Sequence, residues 1–375
     1  MRLTVGSIRL RPTARKSGTV TPFQAAATAL GSTVGTGNIV GVSQAIAMGG
    51  PGALFWLWAA ALIGMIVKYA EVALAIYYRR GSIGSGPMDY ITHGLGRPHL
   101  ARVYGVLVTL SAFCMGNLVQ VSSIADSFVR AVDACTVGPM QSPAALRFAL
   151  GLVLAAVTAL LLSGGAGRVG TAAEAMVPLM SLLFIAASMA VVAVNHSRIA
   201  CVMSTIFIEA FRPGAITGGI CGVTTAQCIQ WGLRRSAFSN EAGLGTAAIA
   251  HAAADTDDPA AHGMWGIFEV FADTIVICTC TALAILCSGV NIPWGSVTGT
   301  EVYQSALASV FGARTSAVFM AVTICLFAYT SVIGWAVYGS RCAEYISGRR
   351  GAALYGFLFP CVCLCGCVMS TKGAW

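Results

Sequence analysis

Apolar residues in this chain run in long blocks instead of alternating with polar ones. The blocks lie roughly at residues 22–48, 51–78, 103–130, 144–163, 172–194, 214–253, 263–287, 315–338 and 352–369. Each is about 20 residues or more, the length a helix needs to cross the hydrocarbon core of a bilayer. The pattern predicts about nine membrane helices in one all-α, polytopic transmembrane domain over residues 1–375. Two blocks are too broken to be plain spans. The first carries Gly31, Gly35, Gly37 and Gly41, and the sixth carries Ser239-Asn240-Glu241-Ala242-Gly243-Leu244-Gly245 between apolar flanks. Each glycine weakens a helix by about 1 kcal/mol relative to alanine. Gly-interrupted spans in corresponding positions of two halves point to a carrier's binding site, and these two lie five helices apart, as a five-plus-five inverted repeat requires.

Composition agrees with a membrane setting. Charged residues make up 10% of the chain and hydrophobic residues 57%, against about 25% charged in an ordinary soluble domain. The net charge of +8 is spread through short loops with no basic cluster beside stacking aromatics, which argues against nucleic acid as a partner. Arg79, Arg80, Arg97, Arg102, Arg168, Arg341, Arg349, Arg350 and the basic N-terminus fall on one side, which the positive-inside rule makes cytoplasmic. The chain is thus expected to be a multi-pass protein of the plasma (inner) membrane. The 14 cysteines include an alternating run at 361, 363, 365 and 367 that suits neither a metal cage nor a disulfide framework and reads as small apolar residues within a span. No Ser/His/Asp or Cys/His set can be assembled, so an enzyme is not expected.

Three stretches carry candidate chemistry. Unwinding Ser32-Thr33-Val34-Gly35-Thr36-Gly37-Asn38 would free carbonyls at one half-helix end, which attract a cation, and N–H groups at the other, which attract a carboxylate. A kinked helix packed closely through glycine explains the same residues equally well. In Phe238–Gly245, Glu241 is a carboxylate at membrane depth, either paired with Arg234 or Arg235 or engaged with ion or substrate. Thr330 and Ser331 offer two hydroxyls to a hard cation, or bond back to their own helix, and Trp335 lies one turn beyond. Among the remaining polar residues, Lys68 and Glu71 are spaced for an i,i+3 ion pair with the lysine snorkelling. Glu269 and Asp273 are like charges one turn apart, Asn117 and Gln120 are polar within the third span, and His251 receives no role.

These motifs resemble the alanine/glycine:cation symporter family. The resemblance rests on Thr21-Pro22-Phe23-Gln24-Ala25, Val34-Gly35-Thr36-Gly37-Asn38-Ile39-Val40-Gly41-Val42, Lys68-Tyr69-Ala70-Glu71, Phe238–Gly245, Gly334-Trp335 and Arg341-Cys342. It implies a LeuT-like fold with broken first and sixth core helices, and symport of alanine or glycine with sodium as coupling ion and no other cofactor. By this resemblance Gly31, Val34, Thr330 and Ser331 would hold sodium. Thr36, Gly37, Asn38, Gln120, Ser239, Asn240, Gly243 and Trp335 would line the substrate pocket. Family members usually carry a complete helix before the first core helix, of which a tail around residues 3–10 is expected here, and continue past Trp375. The expectation is therefore a chain truncated at both ends, either an active symporter or a transport-inactive membrane remnant.

Overall fold

A computed structural model describes residues 19–81, 84–136, 142–212, 224–297 and 299–369. Among these the chain is helical throughout, and the only extended pairing is an isolated bridge between Val20 and Ala254. Six helical runs are long and apolar enough to span a bilayer. They are α3 (Ala53–Tyr77), the joined α5 (Pro98–Phe113) and α6 (Val119–Cys135), α7 (Pro143–Ser163), α8 (Gly165–Val194), the joined α12 (Pro259–Val270) and α13 (Thr279–Ser288), and α15 (Ala313–Val368). The last contains two of the spans expected from sequence, separated at Gly348, whose φ of 65° and ψ of −157° only glycine adopts without strain.

The two interrupted blocks are each two helices. The first comprises α1 (Pro22–Thr33) and α2 (Val42–Gly49), and the sixth comprises α10 (Thr225–Asn240) and α11 (Thr246–His251). Residues 214–223 of the sixth block and the expected stub at 3–10 lie outside the described residues. α1 and α10 start in the same way. Thr21 and Thr224 each form a capping box with the glutamine three residues on, Gln24 and Gln227, which satisfies two N–H groups that a helix start leaves unpaired.

Three runs of π-helix interrupt otherwise regular spans: π1 (Gly37–Gly41), π2 (Cys114–Leu118) and π3 (Phe271–Cys278). Three shorter helices, α4 (Pro87–His93), α9 (Ile199–Phe211) and α14 (Glu301–Phe311), lie in the connections. They were not expected from sequence because their apolar runs are too short to mark a span.

Packing divides the helices into two groups around the breaks. α3 packs on α10 and α12, while α15 packs on α6, α7, α8 and α1. Leucine and phenylalanine side chains cover the outer faces, Leu62, Leu182 and Phe357 among them, each more than 60% exposed. A bilayer tolerates that exposure where water does not.

Candidate functional site

The first break begins where α1 ends at Thr33. Val34 closes the last turn through its N–H to the Leu30 carbonyl (2.8 Å), then leaves helical geometry at ψ 96°. Glycine is required here by close approach. A Cβ on Gly35 would lie 2.7 Å from Ser331 Oγ, and one on Gly31 would lie 3.0 Å from Val177 Cγ2 and 3.2 Å from Thr330 Cβ. The freed polar groups are partly re-used locally. The Gly35 N–H donates to Asn38 Oδ1 (3.0 Å), and the Thr36 carbonyl accepts from the Val40 N–H (2.9 Å).

The second break follows Asn240. Glu241 is the one non-glycine among the described residues with positive φ (54°), and Gly243 and Gly245 follow at 97° and 74°. The left-handed turn costs a residue with a Cβ about 1–2 kcal/mol, and Glu241 is held in it by the Thr246 hydroxyl, which donates to Oε2 at 2.6 Å. Neither arginine pairs with Glu241. Arg235 donates to Gln44 and lies over the Trp231 and Phe238 rings at 5.7 and 5.6 Å, while Arg234 is exposed.

Two side chains of α3 bridge this break. Lys68 Nζ donates to the Asn240 carbonyl at the end of α10 (2.8 Å), and Glu71 Oε1 accepts from the Gly243 and Gly245 N–H groups (2.8 and 3.0 Å). Each charge meets the half-helix end of opposite polarity. The expected Lys68–Glu71 ion pair is therefore not formed, and Lys68 does not snorkel but is fully buried. Backbone groups freed by the break compete for both charges, and in a dry interior they win because leaving them unpaired costs more.

Asp273, on π3, ties the breaks together. Its carboxylate is fully buried. It accepts from Asn38 Nδ2 (2.7 Å), Ser239 Oγ (2.6 Å) and Thr274 Oγ1 (2.8 Å). Asn38 Nδ2 also reaches Ser239 Oγ at 3.1 Å, so the two breaks face one another as expected. Glu269, one turn earlier, belongs to a separate network in which Oε1 meets His251 Nε2 at 2.5 Å. The two like charges one turn apart are thus met separately, Glu269 by a histidine and Asp273 by amide and hydroxyl donors. What sequence reasoning underrated in Asp273 was its donors: a buried acid needs several, and both interrupted blocks supply them.

A cavity of about 740 Å³ opens beside the breaks. Thr36, Gly37, Gln120, Ser239, Gly243 and Trp335 line it, as does Ser331. Thr36 Oγ1 donates to Gln120 Oε1 (3.2 Å). Trp335 is held in place by Gly116 of π2, where a Cβ would stand 2.4 Å from the Trp335 Cβ. Asn38 and Asn240 lie behind this wall, and both amides are engaged by protein, Asn240 Nδ2 with Ser236 and Thr274 hydroxyls. Of the expected sodium set, Ser331 Oγ spans from α15 to the Gly31 carbonyl (3.2 Å), which puts these two groups together. Thr330 Oγ1 is turned to its own helix, donating to the Leu326 and Phe327 carbonyls (3.0 and 2.9 Å), and Val34 is buried beside them.

A sodium:alanine symporter family model matches residues 2–375. This chain belongs to that family. It is 39% identical over 96% of its length to the sodium/alanine symporter AgcS of Methanococcus maripaludis, covering 78% of that protein. It is 33% identical over 96% of its length to the probable sodium/glutamine symporter GlnT of Bacillus subtilis, covering 73% of it. In three dimensions the chain resembles MhsT, solved with L-phenylalanine, at TM-score 0.63 and 14% identity, covering 94% of this chain and 81% of that one. A manganese transporter from Eremococcus coleocola gives TM-score 0.58 at 14% identity, covering 95% and 72%. The fold is thus LeuT-like, with broken first and sixth core helices, and the family is one of multi-pass, sodium-coupled amino-acid transporters.

Proposed function

We propose that this chain is a sodium-driven symporter of small neutral amino acids, alanine and glycine, working by alternating access as one domain of nine membrane helices in the plasma membrane. The observation that carries the reading is the junction of the two breaks, where carbonyl ends, N–H ends and hydroxyls converge on one cavity whose lining holds a single acidic side chain, Glu241, tied to the Thr246 hydroxyl. A zwitterion suits such a site because half-helix ends supply both partial charges. The substrate carboxylate would sit at the N–H groups of Thr36 and Gly37, and its ammonium at the carbonyl end of α10 near Ser239. The Asn240 carbonyl, already bonded to Lys68 Nζ, would take no part. Sodium would lie between the Gly31 and Val34 carbonyls and the Ser331 and Thr330 hydroxyls, with Thr330 turning from its back-bonds to reach it.

Size selection supports alanine over the glutamine named for one relative. Trp335 is locked against Gly116 and against Tyr338, their rings crossing at 67° with centroids 5.6 Å apart. It therefore stands as a fixed wall on its side of the cavity. Assembly of both breaks favours a working carrier over a transport-inactive remnant. The test is uptake of labelled alanine into proteoliposomes under an inward sodium gradient, with glycine, glutamine and leucine as competitors. Uptake should require sodium, with glycine the strongest competitor. Equal uptake under a potassium gradient would overturn the symport reading, and glutamine competing as well as glycine would overturn the small-substrate reading.

A further inference from the structure

His251 on α11 and His262 and Glu269 on α12 form a hydrogen-bonded line through the interior. His251 Nδ1 lies 2.9 Å from His262 Nε2, and His251 Nε2 lies 2.5 Å from Glu269 Oε1. All three residues are 3% exposed or less. The other Glu269 oxygen, Oε2, is buried without a partner, and so is Oε2 of Glu71. Two buried carboxylates with an orphan oxygen each are costly as anions. They also act on one another across the packing of α3 on α12. Like charges sharing a site resist joint ionisation. Glu71 Oε1 is bonded only to backbone N–H groups of the second break. Of the two carboxyls, Glu269 is the one joined to side chains that can carry a proton, His251 and through it His262.

We propose that Glu269 is a proton-binding site, filled through His262 and His251, whose occupancy is coupled through Glu71 to the order of the second break. The site is independent of the carrier reading; only its link to substrate rests on that reading. The line ends at His262, one turn into α12 and next to the exposed Asp257 and Asp258. With one proton on each ring, His262 Nε2–H donates to His251 Nδ1, and His251 Nε2–H donates to the Glu269 carboxylate. A proton arriving from water at His262 Nδ1 moves the Nε2 proton of His262 to His251 Nδ1. The Nε2 proton of His251 then moves to Glu269. The carboxyl becomes neutral, both rings stay neutral with their tautomers exchanged, and ring rotation resets them.

The groups around this line come from every neighbouring element. α3 contributes Lys68, Glu71 and Tyr69. Arg79 beyond its end acts on His262 and is bonded to the Ala254 and Thr256 carbonyls (2.5 Å each) and to Asp257 (3.1 Å). The second break contributes Glu241, and α15 contributes Tyr338, which acts on both Glu241 and Glu269. Neutralising Glu269 removes the charge that opposes Glu71, so ordering the break by substrate should draw a proton in.

Two measurements on purified protein in lipid vesicles decide the matter. Infrared titration should show a protonated carboxyl stretch that is absent in Glu269→Gln. In His262→Gln the stretch should persist but exchange with deuterium more slowly than in the wild type. An identical spectrum in Glu269→Gln at every pH overturns the proton site, and unchanged exchange in His262→Gln overturns the route. Calorimetry of alanine binding in buffers of different ionisation enthalpy should show uptake of about one proton per alanine in the wild type, falling to about zero in Glu269→Gln. No proton uptake in a wild type that binds alanine overturns the coupling. A wild type that binds no alanine instead refutes the carrier reading and leaves the infrared result to decide the site.

Discussion

Single residues at the first break act by what they leave out. Gly35 has room for Ser331 Oγ only because it lacks a Cβ, the two being 2.7 Å apart if one is added. Gly35→Ala must push Ser331 away from the Gly31 carbonyl, so sodium stimulation of alanine binding should vanish while far-ultraviolet circular dichroism stays unchanged. Stimulation as large as in the wild type would place the cation elsewhere. Trp335→Ala should have the opposite character. It enlarges the pocket, so leucine should begin to compete with labelled alanine, and alanine itself should weaken by about 1–3 kcal/mol, the usual scale for losing a close-packed wall. At this scale the sequence was only half legible. Gly35, Thr36, Gly37 and Trp335 announce themselves by spacing and motif, but the direction in which Asn38, Asn240 and Thr330 point does not. Each of those side chains is claimed by a partner more than 30 residues away or by its own helix, and no local pattern encodes that choice.

Among the elements, α3 acts on the second break more than its sequence suggested. Lys68 and Glu71, three residues apart, look like a self-contained pair, yet each bonds to one side of the gap between α10 and α11. Glu71→Ala would strip two N–H groups of their acceptor at about 1–3 kcal/mol each. Hydrogen exchange at Gly243 and Gly245 should then speed up by a factor of ten or more, with the rest of α3 unaffected. Lys68→Met should loosen Asn240 less, because one carbonyl is left instead of two donors. Equal protection in both variants and the wild type would show that the turn is held by its own glycines. The positions of the breaks were readable because glycine clusters inside apolar runs have few other causes. The bridging from α3 was not, because an i,i+3 pair satisfies local rules equally well.

For the whole molecule, the cavity lining runs up α5 from Tyr104 through Leu107 and Ser111 to Cys114 at the level of the breaks. Its Tyr104 end lies toward Arg97 and Arg102 at the start of α5, the side expected from the charge bias to be cytoplasmic. Cys114 is an exposed thiol on that wall. A small maleimide applied from the cytoplasmic side should label it, and alanine with sodium should slow the labelling several-fold. Labelling only from the opposite face would reverse the orientation drawn from the loop charges. Hydrophobic blocks were enough to anticipate an all-helical chain with helices long enough to span, since a bilayer leaves a chain few options besides spanning helices. The separation of the last two spans was expected as a loop between 338 and 352, whereas the helix runs on and turns only at Gly348.

The three π-helical runs share a property that concerns ancestry more than transport. A π-turn stands where one residue more than an α-helix needs has been accommodated without ending the helix. Each residue turns an α-helix by about 100°, at 3.6 residues per turn. Removing one residue from π3 should therefore give an unbroken helix of ordinary pitch that still folds. The flanking turns would keep their faces, while residues within the run, Asp273 among them, would be re-aimed and Glu269, on the turn before it, would keep its histidine. Insertions of a single codon, tolerated because the surplus could be stored as a bulge, would be enough to have re-aimed single side chains such as Asn38 and Asp273 toward one another without disturbing the rest of either helix.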